Sequence, residues 1–199
     1  MSAIEFWTGQ GGDAYIDRNA FTLQNVAMRA SMWERILDRV NPINRVLEVG
    51  ANVGINIAAL QRILPPHVSY YAIEPNAQAI KKLQELVPGA YQGVADDIPL
   101  PDGKIDIVFT SGVLIHIEPE KLLGSCAEIV RVARRYVIAA EYFSEQPQQI
   151  DYRGSYIWKR DFGKFYLDNF ENLRPVDCGF EWRHTTGIDN ITWWVFEKC

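Results

Sequence analysis

The stretch Arg45-Val-Leu-Glu-Val-Gly-Ala-Asn-Val-Gly-Ile55 decides how the rest of the chain is arranged. Its first part is apolar except for Glu48 and predicts a buried β-strand. Gly50 and Gly54 follow, and because glycine tolerates positive φ, they predict a tight turn. A helix is expected from Asn52 to about Leu64, with the free N–H groups of its first turn facing whatever binds there. This strand–turn–helix unit is typical of the ligand-binding edge of a doubly wound α/β sheet.

The spacing of the glycines separates two classes of nucleotide-binding turn. A dinucleotide site of the G-x-G-x-x-G type needs glycine at positions 52 and 55, where this chain has Asn52 and Ile55. The pattern E/D-x-G-x-G-x-G, motif I of the class I S-adenosylmethionine-dependent methyltransferases, resembles the stretch more closely through Glu48, Gly50 and Gly54. Asparagine replaces the middle glycine and is the next most tolerant residue of the left-handed backbone. The alternative is a tight βα connection that binds no ligand.

A second acidic residue follows one βα unit later. Pro65 and Pro66 end the first helix, and residues 68–73 predict a second strand that runs into Glu74. At that edge a carboxylate can accept hydrogen bonds from both ribose hydroxyls of a nucleotide. The alternative is a charge at the start of the next helix, where Asn76 is the better cap. Ribose binding alone fits NAD as well as S-adenosylmethionine.

A short third strand is predicted over residues 90–94 and a fourth over residues 105–110. The loop after the fourth strand contains the candidate for proton transfer. Ligands bind outside the carboxyl ends of strands in open α/β sheets, so residues 111–117 are expected to border the pocket. A histidine ordinarily titrates near neutral pH, so His116 is expected to accept a proton from a substrate hydroxyl or amine. The alternative is a structural histidine that hydrogen-bonds a neighbouring backbone group.

Composition narrows the class of protein. The 199 residues carry a net charge of -5 and 48% hydrophobic residues, ordinary values for one domain with a sizeable core. The acidic balance argues against a nucleic-acid partner, and no apolar run approaches a membrane span. The three cysteines show neither zinc spacing nor a disulfide framework, and no signal peptide is evident. We therefore expect a cytoplasmic monomer or homodimer with no metal and no membrane partner.

The N-terminal segment combines glycines with large aromatic residues. It reads Glu5-Phe-Trp-Thr-Gly-Gln-Gly-Gly-Asp-Ala-Tyr-Ile-Asp-Arg-Asn19 and precedes a helix predicted over residues 21–40. Trp7, Tyr15 and Arg18 are available to cover a cofactor at the sheet edge. The alternative is an arm whose aromatic rings only pack against helices.

The pattern W-x-G-x-x-G-x-x-Y-x-x-R-N, which begins at Trp7, resembles the opening of the methylases associated with pseudaminic acid biosynthesis. The similarity extends through motif I, residues 110–117, residues 152–154 and residues 159–163, and so covers nearly the whole chain. This resemblance implies that the methyl acceptor is a nonulosonic (pseudaminic) acid or a related surface-glycan precursor.

The methyltransferase resemblance also implies the cofactor contacts. Residues 95–103 resemble the segment that holds the adenine, although Val94 stands where an acidic residue usually meets the adenine amino group. Asp96 is one substitute, and a backbone amide is the other. The backbone of residues 111–113 is expected to flank the methionine part of the cofactor. The predicted cofactor-binding residues are Tyr15, Arg18, Glu48, Gly50, Ala51, Asn52, Gly54, Glu74, Pro75, Ala95, Asp96, Ser111, Gly112 and Val113.

The last third of the chain is expected to face the substrate. A fifth strand, residues 136–140, ends at Glu141, and residues 149–163 are aromatic and basic without helical period. Their basic side chains suit a carboxylate, phosphate or sugar acid. The alternative for Glu141 is a solvated loop carboxylate, and the alternative for residues 149–163 is a solvent-facing insertion. The predicted substrate-binding residues are Trp7, Glu141, Arg153, Lys159 and Arg160.

Together these features predict a Rossmann-like α/β fold with a seven-stranded, mostly parallel sheet and an antiparallel last strand. A helix over residues 162–170 and a terminal hairpin of residues 174–183 and 191–196 complete it. We expect one methyltransferase domain over residues 1–199, with residues 1–40 as a cap and residues 142–170 as a variable insertion. It would transfer a methyl group from S-adenosylmethionine to oxygen or nitrogen of a small molecule.

Three other functions are alternatives to a small-molecule methyltransferase. A nicotinamide-dependent sugar oxidoreductase would need G-x-G-x-x-G and a Tyr-x-x-x-Lys pair, but Tyr152 is followed four residues on by Tyr156. A non-catalytic cofactor-binding module would keep the turn and Glu74 without a proton acceptor. A methyltransferase acting on a peptide or another metabolite remains open.

Overall fold

The computed structural model describes residues 2–199, which form nine β-strands and eight α-helices. The strands are β1 (Arg45–Val49), β2 (Ser69–Glu74), β3 (Gly89–Gln92), β4 (Ile105–Ser111), β5 (Ala133–Glu141), β6 (Gln148–Tyr152), β7 (Ser155–Lys159), β8 (Leu173–Glu181) and β9 (Ile191–Lys198). The helices are α1 (Ala3–Thr8), α2 (Gln10–Arg18), α3 (Leu23–Ile36), α4 (Ile55–Ile63), α5 (Ala77–Leu86), α6 (Pro119–Val132), α7 (Phe162–Asn169) and α8 (Arg183–Thr186). A 3₁₀ turn covers Leu114–His116.

Seven strands form one twisted sheet in the order β3-β2-β1-β4-β5-β9-β8. β1 pairs in parallel with β2 and β4, and β2 with β3 and β4 with β5 pair in the same way. β9 runs antiparallel to both of its neighbours, β5 and β8. The predicted fold, a mostly parallel seven-stranded sheet with an antiparallel last strand, is confirmed.

The central strands are apolar because helices cover both faces of the sheet. Val46 packs into the cluster that contains Trp33 of α3, whereas Leu47 packs into the opposite cluster with Ile129 of α6. The rings of Trp33 and Phe109 meet at 4.4 Å between centroids, which fastens α3 to β4. Parallel strands buried on both faces read as continuous hydrophobic runs, as β1 and β4 do.

Two predicted helix boundaries are wrong by about one turn. The helix after β1 begins at Ile55 rather than Asn52, because Asn52 has a φ of 47° and lies in the left-handed region. Helix α3 ends at Ile36, well before residue 40, because Leu37 already leaves the helical conformation with φ -90° and ψ 2°.

The segment predicted as a variable insertion, in which residues 149–163 lack a helical period, contains a two-stranded hairpin. β6 and β7 pair antiparallel across the turn residues Arg153 and Gly154, which both have positive φ (50° and 88°). Two consecutive positive φ values are typical of the tight turns that join hairpin strands. The predicted helix that starts at Phe162 is present as α7, and the predicted terminal hairpin is present as β8 and β9. The short helix α8 occupies part of the link predicted as a turn.

Residues 2–18 form the two short helices α1 and α2, with Gly9 between them. A capping box starts α1: the Ser2 hydroxyl accepts the Glu5 N–H, and the Ser2 N–H donates to the Glu5 carboxylate. Few side chains of this pair are buried, namely Ala3, Phe6 and Ile16. Among the described residues, no helix combines the length and the apolar character needed to cross a membrane.

Replacement of Phe109 by alanine should lower the free energy of unfolding by about 3–5 kcal/mol, because the ring is fully buried against Trp33 and leaves a cavity. Urea denaturation measures the change. Phe180→Ala is the matched control, because that ring is 58% exposed and its loss should cost little. Equal losses in the two variants would contradict the packing described for β4.

Candidate functional site

A cavity of about 390 Å³ lies at the carboxyl ends of β1, β2 and β4. Its volume is within the range of about 300–1,000 Å³ that is usual for small-molecule and cofactor sites. The turn after β1, the end of β2, residues 93–96 and the loop after β4 form its floor. Helices α1 and α2 form its roof. Residues of the N-terminal segment therefore line the cavity at the ligand edge of the sheet.

The turn after β1 brings the backbone close to the cavity. Gly50, Asn52 and Gly54 all have positive φ, at 77°, 47° and 82°. A Cβ atom on Gly50 would lie 2.5 Å from a methyl group of Val113, so the loop after β4 leaves room only for glycine. Gly54 starts α4 and packs on Leu83 rather than lining the cavity.

Glu74 at the end of β2 holds this turn in place. Its two carboxylate oxygens accept the N–H groups of Asn52 (2.7 Å) and Asn76 (2.8 Å). Burial raises the pKa of Glu74, and these two hydrogen bonds oppose that shift. Each oxygen of a carboxylate has two acceptor positions, so one position on each oxygen is left for a ligand in the cavity.

Glu48 contributes a buried carboxylate with one unpartnered oxygen. Oε1 accepts the Asn56 amide at 2.6 Å, and Asn56 in turn accepts the indole N–H of Trp33 at 3.2 Å. Oε2 is buried without a partner. Burial raises the pKa of Glu48 to about 8, although the Asn56 hydrogen bond and the Arg29 charge oppose the shift.

Arg29 of α3 lines the cavity, a role that the sequence analysis missed. It forms no ion pair within the described part of the chain. It lies three residues after buried Val26 and four before buried Trp33, and so on the buried face of the helix. A basic residue on an otherwise apolar helix face was the signal that could have revealed it.

His116 lies at the end of the 3₁₀ turn, between two aromatic rings. Its ring centroid is 4.5 Å from that of Trp7 and 5.4 Å from that of Tyr152. Trp7 also meets Tyr15 at 5.0 Å. Burial lowers the pKa of His116 to about 3, so the imidazole is neutral at physiological pH. Nδ1 is buried without a partner, which leaves Nε2 as the nitrogen available to the cavity.

Glu141 lies beneath the loop after β4 instead of facing the cavity or the solvent. It is fully buried, and its carboxylate accepts the Val113 N–H at 3.1 Å. Burial raises the pKa of Glu141 to about 7. Glu141 was predicted to face the substrate, with a solvated loop as the alternative, and neither placement is found. The reason is that β5 continues to Glu141 and the 3₁₀ turn folds over it.

The basic residues predicted to contact substrate lie outside the cavity, each over an aromatic ring. Arg153 is 5.9 Å from the ring centre of Tyr152, and Lys159 is 5.3 Å from that of Tyr142. Arg160 is 5.4 Å from the ring centre of Phe165, and Arg18 lies in the same way over Tyr15 at 5.5 Å. Tyr15 lines the cavity and Tyr152 packs on His116, so Arg18 and Arg153 flank the roof.

The structure brings most of the predicted site residues into one cavity. At the end expected to hold adenine, Asp96 pairs with Lys121 at 3.7 Å. The predicted residues that line the cavity are Trp7, Tyr15, Glu48, Gly50, Ala51, Asn52, Glu74, Pro75, Ala95, Asp96, Ser111, Gly112, Val113 and His116. Those that do not are Arg18, Gly54, Glu141, Arg153, Lys159 and Arg160. Lining residues that the sequence analysis missed include Asn19, Arg29, Asn56, Asn76, Ile117 and Lys121.

The chain is similar to a known protein family and to several solved structures. Residues 47–138 match the family model described as "Methyltransferase domain". A S-adenosylmethionine-dependent methyltransferase of Leishmania major shares 15% identity and a TM-score of 0.72, over 98% of this chain and 81% of that chain. Magnesium protoporphyrin IX methyltransferase of Synechocystis, solved with bound S-adenosylmethionine, shares 13% identity and a TM-score of 0.69, over 100% and 98%.

A third solved structure contains both a bound acceptor and a cofactor product. The 1,6-didemethyltoxoflavin-N1-methyltransferase of Burkholderia thailandensis, with 1,6-didemethyltoxoflavin and S-adenosylhomocysteine, shares 15% identity and a TM-score of 0.70, over 96% and 84%. No curated protein sequence matches the chain significantly. These likenesses show the class I methyltransferase fold, and the family model matches the part of the chain that runs from β1 to β5.

The ligand-free protein should lose stability as pH rises from about 5 to 8, because folded Glu48 keeps a proton that the unfolded chain releases near its ordinary pKa of 4.5. Glu48→Gln, which is neutral at every pH, should lessen this slope by up to about 1.4 kcal/mol per pH unit. Part of the slope should persist, since the pKa of Glu141 is also raised, to about 7.

Urea denaturation at pH 5.5, 6.5 and 7.5 measures the slope. Exposed Glu120, at the start of α6, offers the control Glu120→Gln. An unchanged slope in Glu48→Gln would show that Glu48 is ionised in the folded chain.

Proposed function

We propose that the chain is a S-adenosylmethionine-dependent methyltransferase that moves a methyl group to oxygen or nitrogen of a small-molecule acceptor. The observation that carries the proposal is the unpartnered oxygen of buried Glu48 together with the unpaired guanidinium of Arg29. Both side chains line the cavity that the glycine turn borders, and Glu74 lines it from the end of the neighbouring strand β2. The class I methyltransferase fold supports the same function.

The charges in the cavity fit the amino-acid end of this cofactor. A free α-amino acid group has an ammonium, which suits Glu48 Oε2, and a carboxylate, which suits the Arg29 fork. Nicotinamide dinucleotides contain no α-amino acid ammonium, and they would leave the buried Oε2 of Glu48 without a cationic partner. Glu48 and Arg29 therefore favour S-adenosylmethionine over the nicotinamide alternative.

The nucleoside end would lie along Glu74 and residues 93–96. The remaining acceptor positions of the Glu74 carboxylate suit the two ribose hydroxyls. Val94 and Ala95 give apolar surface for the adenine ring, and Ile117 gives more from the far side of the cavity. Because Asp96 is paired with Lys121 and no acidic residue replaces Val94, we assign recognition of the adenine edge to backbone groups of this segment.

When bound, S-adenosylmethionine would supply an electrophilic methyl group, and its sulfur would keep the electron pair of the carbon–sulfur bond that breaks as the acceptor takes that methyl. The protein positions the acceptor in line with that bond and excludes water with the roof of Trp7 and Tyr15. Neutral His116 has Nε2 available to receive the proton that the acceptor loses. Its low pKa means that the proton passes on to solvent.

For the acceptor we propose a nonulosonic acid or related sugar acid. Support comes from three cations that form no ion pair among residues 2–199. Arg18 and Arg153 lie over Tyr15 and Tyr152 beside the roof, and Lys159 lies over Tyr142, next to Gly112 of the cavity wall. Such cations attract a carboxylate at the cavity entrance, even though the chain carries a net charge of -5. The acceptors named for two structural relatives, magnesium protoporphyrin IX and 1,6-didemethyltoxoflavin, are also small molecules.

The proposal takes residues 1–199 as one methyltransferase domain with residues 1–40 as cap and residues 142–170 facing the acceptor. We place the enzyme in the cytoplasm as a monomer or homodimer. Its three cysteines, Cys126, Cys178 and Cys199, are free, which suits a reducing compartment.

Calorimetric titration should show that S-adenosylhomocysteine and S-adenosylmethionine bind the wild-type protein, whereas NADPH does not. Arg29→Met should weaken S-adenosylhomocysteine binding by about tenfold or more, because a desolvated charge-assisted pair is lost. Arg62→Met on the exposed surface of α4 is the control and should bind normally. Binding of NADPH alone would refute the cofactor assignment, and normal S-adenosylhomocysteine binding by Arg29→Met would refute the role given to Arg29.

Transfer of radiolabelled methyl groups should be detected with a nonulosonic acid as acceptor. The double variant Arg153→Met/Lys159→Met should raise the KM for that acceptor about tenfold and leave cofactor affinity unchanged, because only the entrance loses charge. Raised salt concentration should likewise raise the KM of the wild-type protein for this acceptor. Lys81→Met/Lys82→Met on α5 is the control. Transfer to a neutral sugar with equal efficiency would exclude the anionic acceptor.

A further inference from the structure

The side chain of Asn76 joins three parts of the cavity wall. It is 2% exposed and makes four hydrogen bonds. Oδ1 accepts the N–H groups of Gln78 and Ala79 (2.8 and 2.9 Å) and so caps α5. Nδ2 donates to the Trp7 carbonyl at 3.1 Å and to the Asp13 carboxylate at 2.9 Å. Both of these acceptors belong to the roof.

From this arrangement we infer that Asn76 is a positioning residue, which fixes the aromatic roof over the cavity relative to the carboxylate of Glu74. The backbone N–H of Asn76 donates to Glu74 Oε1 at 2.8 Å, so one residue touches both the roof and the group assigned to the ribose. The inference rests on the proposed function, because it assigns the roof a role in holding the cofactor.

The two hydrogen bonds that Asn76 Nδ2 donates to Trp7 and Asp13 act as a latch on the roof. The roof depends on this latch because α1 and α2 bury little apolar surface. Of α1 and α2, the buried apolar side chains are Ala3, Phe6 and Ile16. Another polar tie is the Ala3 N–H, which donates to Glu118 at 3.0 Å. Close packing marks the latch itself: a Cβ atom on Gly12 would lie 2.0 Å from the Trp7 carbonyl and 2.8 Å from Asn76 Nδ2.

Asparagine suits this position because one end of its side chain accepts and the other donates. Aspartate has the same shape and caps helices about equally well, so Asn76→Asp should preserve α5. It would lose the two donated hydrogen bonds and place a negative charge against Asp13. The substitution therefore releases the roof and spares the helix cap.

The first test is hydrogen exchange of α1 and α2 amides in the ligand-free protein. Asn76→Asp should speed exchange in these helices by about tenfold or more, because a buried polar tie becomes a repulsion. Exchange in α5 should stay as in the wild type. Unchanged exchange in α1 and α2 would overturn the inference whether or not a cofactor binds.

The second test is S-adenosylhomocysteine affinity measured by calorimetry. Asn76→Asp should raise the Kd about tenfold, and adding Asp13→Asn should recover most of the loss, because Asn at position 13 can donate to the new carboxylate. Absence of rescue would overturn the inference. Asp17→Asn, an exposed position on the same helix, is the matched control for the second change.

Two further results keep the inference separate from the proposed function and from misfolding. If the wild type bound no S-adenosylhomocysteine, the proposed function would fail, while hydrogen exchange would still decide the latch. If Asn76→Asp did not fold, Asp13→Ala, which leaves the helix cap intact, should speed exchange in α1 and α2 by itself. Normal exchange in Asp13→Ala would then count against the latch.

Discussion

The hydrogen bond from the Asn52 amide to Glu74 supports the whole ligand edge of this protein. It joins the left-handed turn after β1 to the end of β2, and the N–H groups of Gly50 and Ala51 reinforce it by donating to Ile73. Asn52 is the one residue of this turn whose positive φ carries a conformational cost, and the surrounding contacts hold it in that conformation. The glycine at position 50 lets Val113 approach, which brings the loop after β4 against the same turn.

Three buried carboxylates meet at the carboxyl edge of the sheet, and each is compensated differently. Glu74 accepts two backbone N–H groups, Glu48 accepts the Asn56 side-chain amide, and Glu141 accepts the Val113 backbone amide. Glu48 and Glu141 each keep one buried oxygen without a partner. A buried charge without partners is costly, and of Glu48 and Glu141 only Glu48 lines the cavity, so Glu48 has the more to gain from a cationic ligand. Glu48 thus destabilises the ligand-free fold at the point where its Oε2 remains without a hydrogen-bond donor.

The roof differs from the rest of the molecule in what holds it. The sheet and its flanking helices bury long apolar runs, whereas α1 and α2 rely on Asn76, Glu118 and a line of aromatic contacts through Trp7. Regions with few buried apolar contacts belong to the low-stability end of a protein and open most readily. A cover of this kind can exclude water when it is closed and still open for exchange of ligands.

Local patterns in the sequence were sufficient for the sheet, the glycine turn, Glu74 and the position of His116 in the adjoining loop. Strand burial, helix period and turn chemistry are properties of neighbouring residues, and the order of βα units determines which strand ends meet. Boundaries set by backbone strain, such as the start of α4 after Asn52, could not be read in this way.

Contacts between residues distant in sequence were decided by the tertiary structure alone. Asn76 meets Trp7 across 69 positions, and the Val113 amide finds Glu141 across 28. Arg29 reaches the cavity because α3 packs beside the turn through Trp33 and Asn56. The sequence by itself determined a methyltransferase-like sheet and its ligand edge, because these follow from local spacing. Only the packed chain decided which polar side chains line the cavity and which lie beneath it, because burial depends on every element at once.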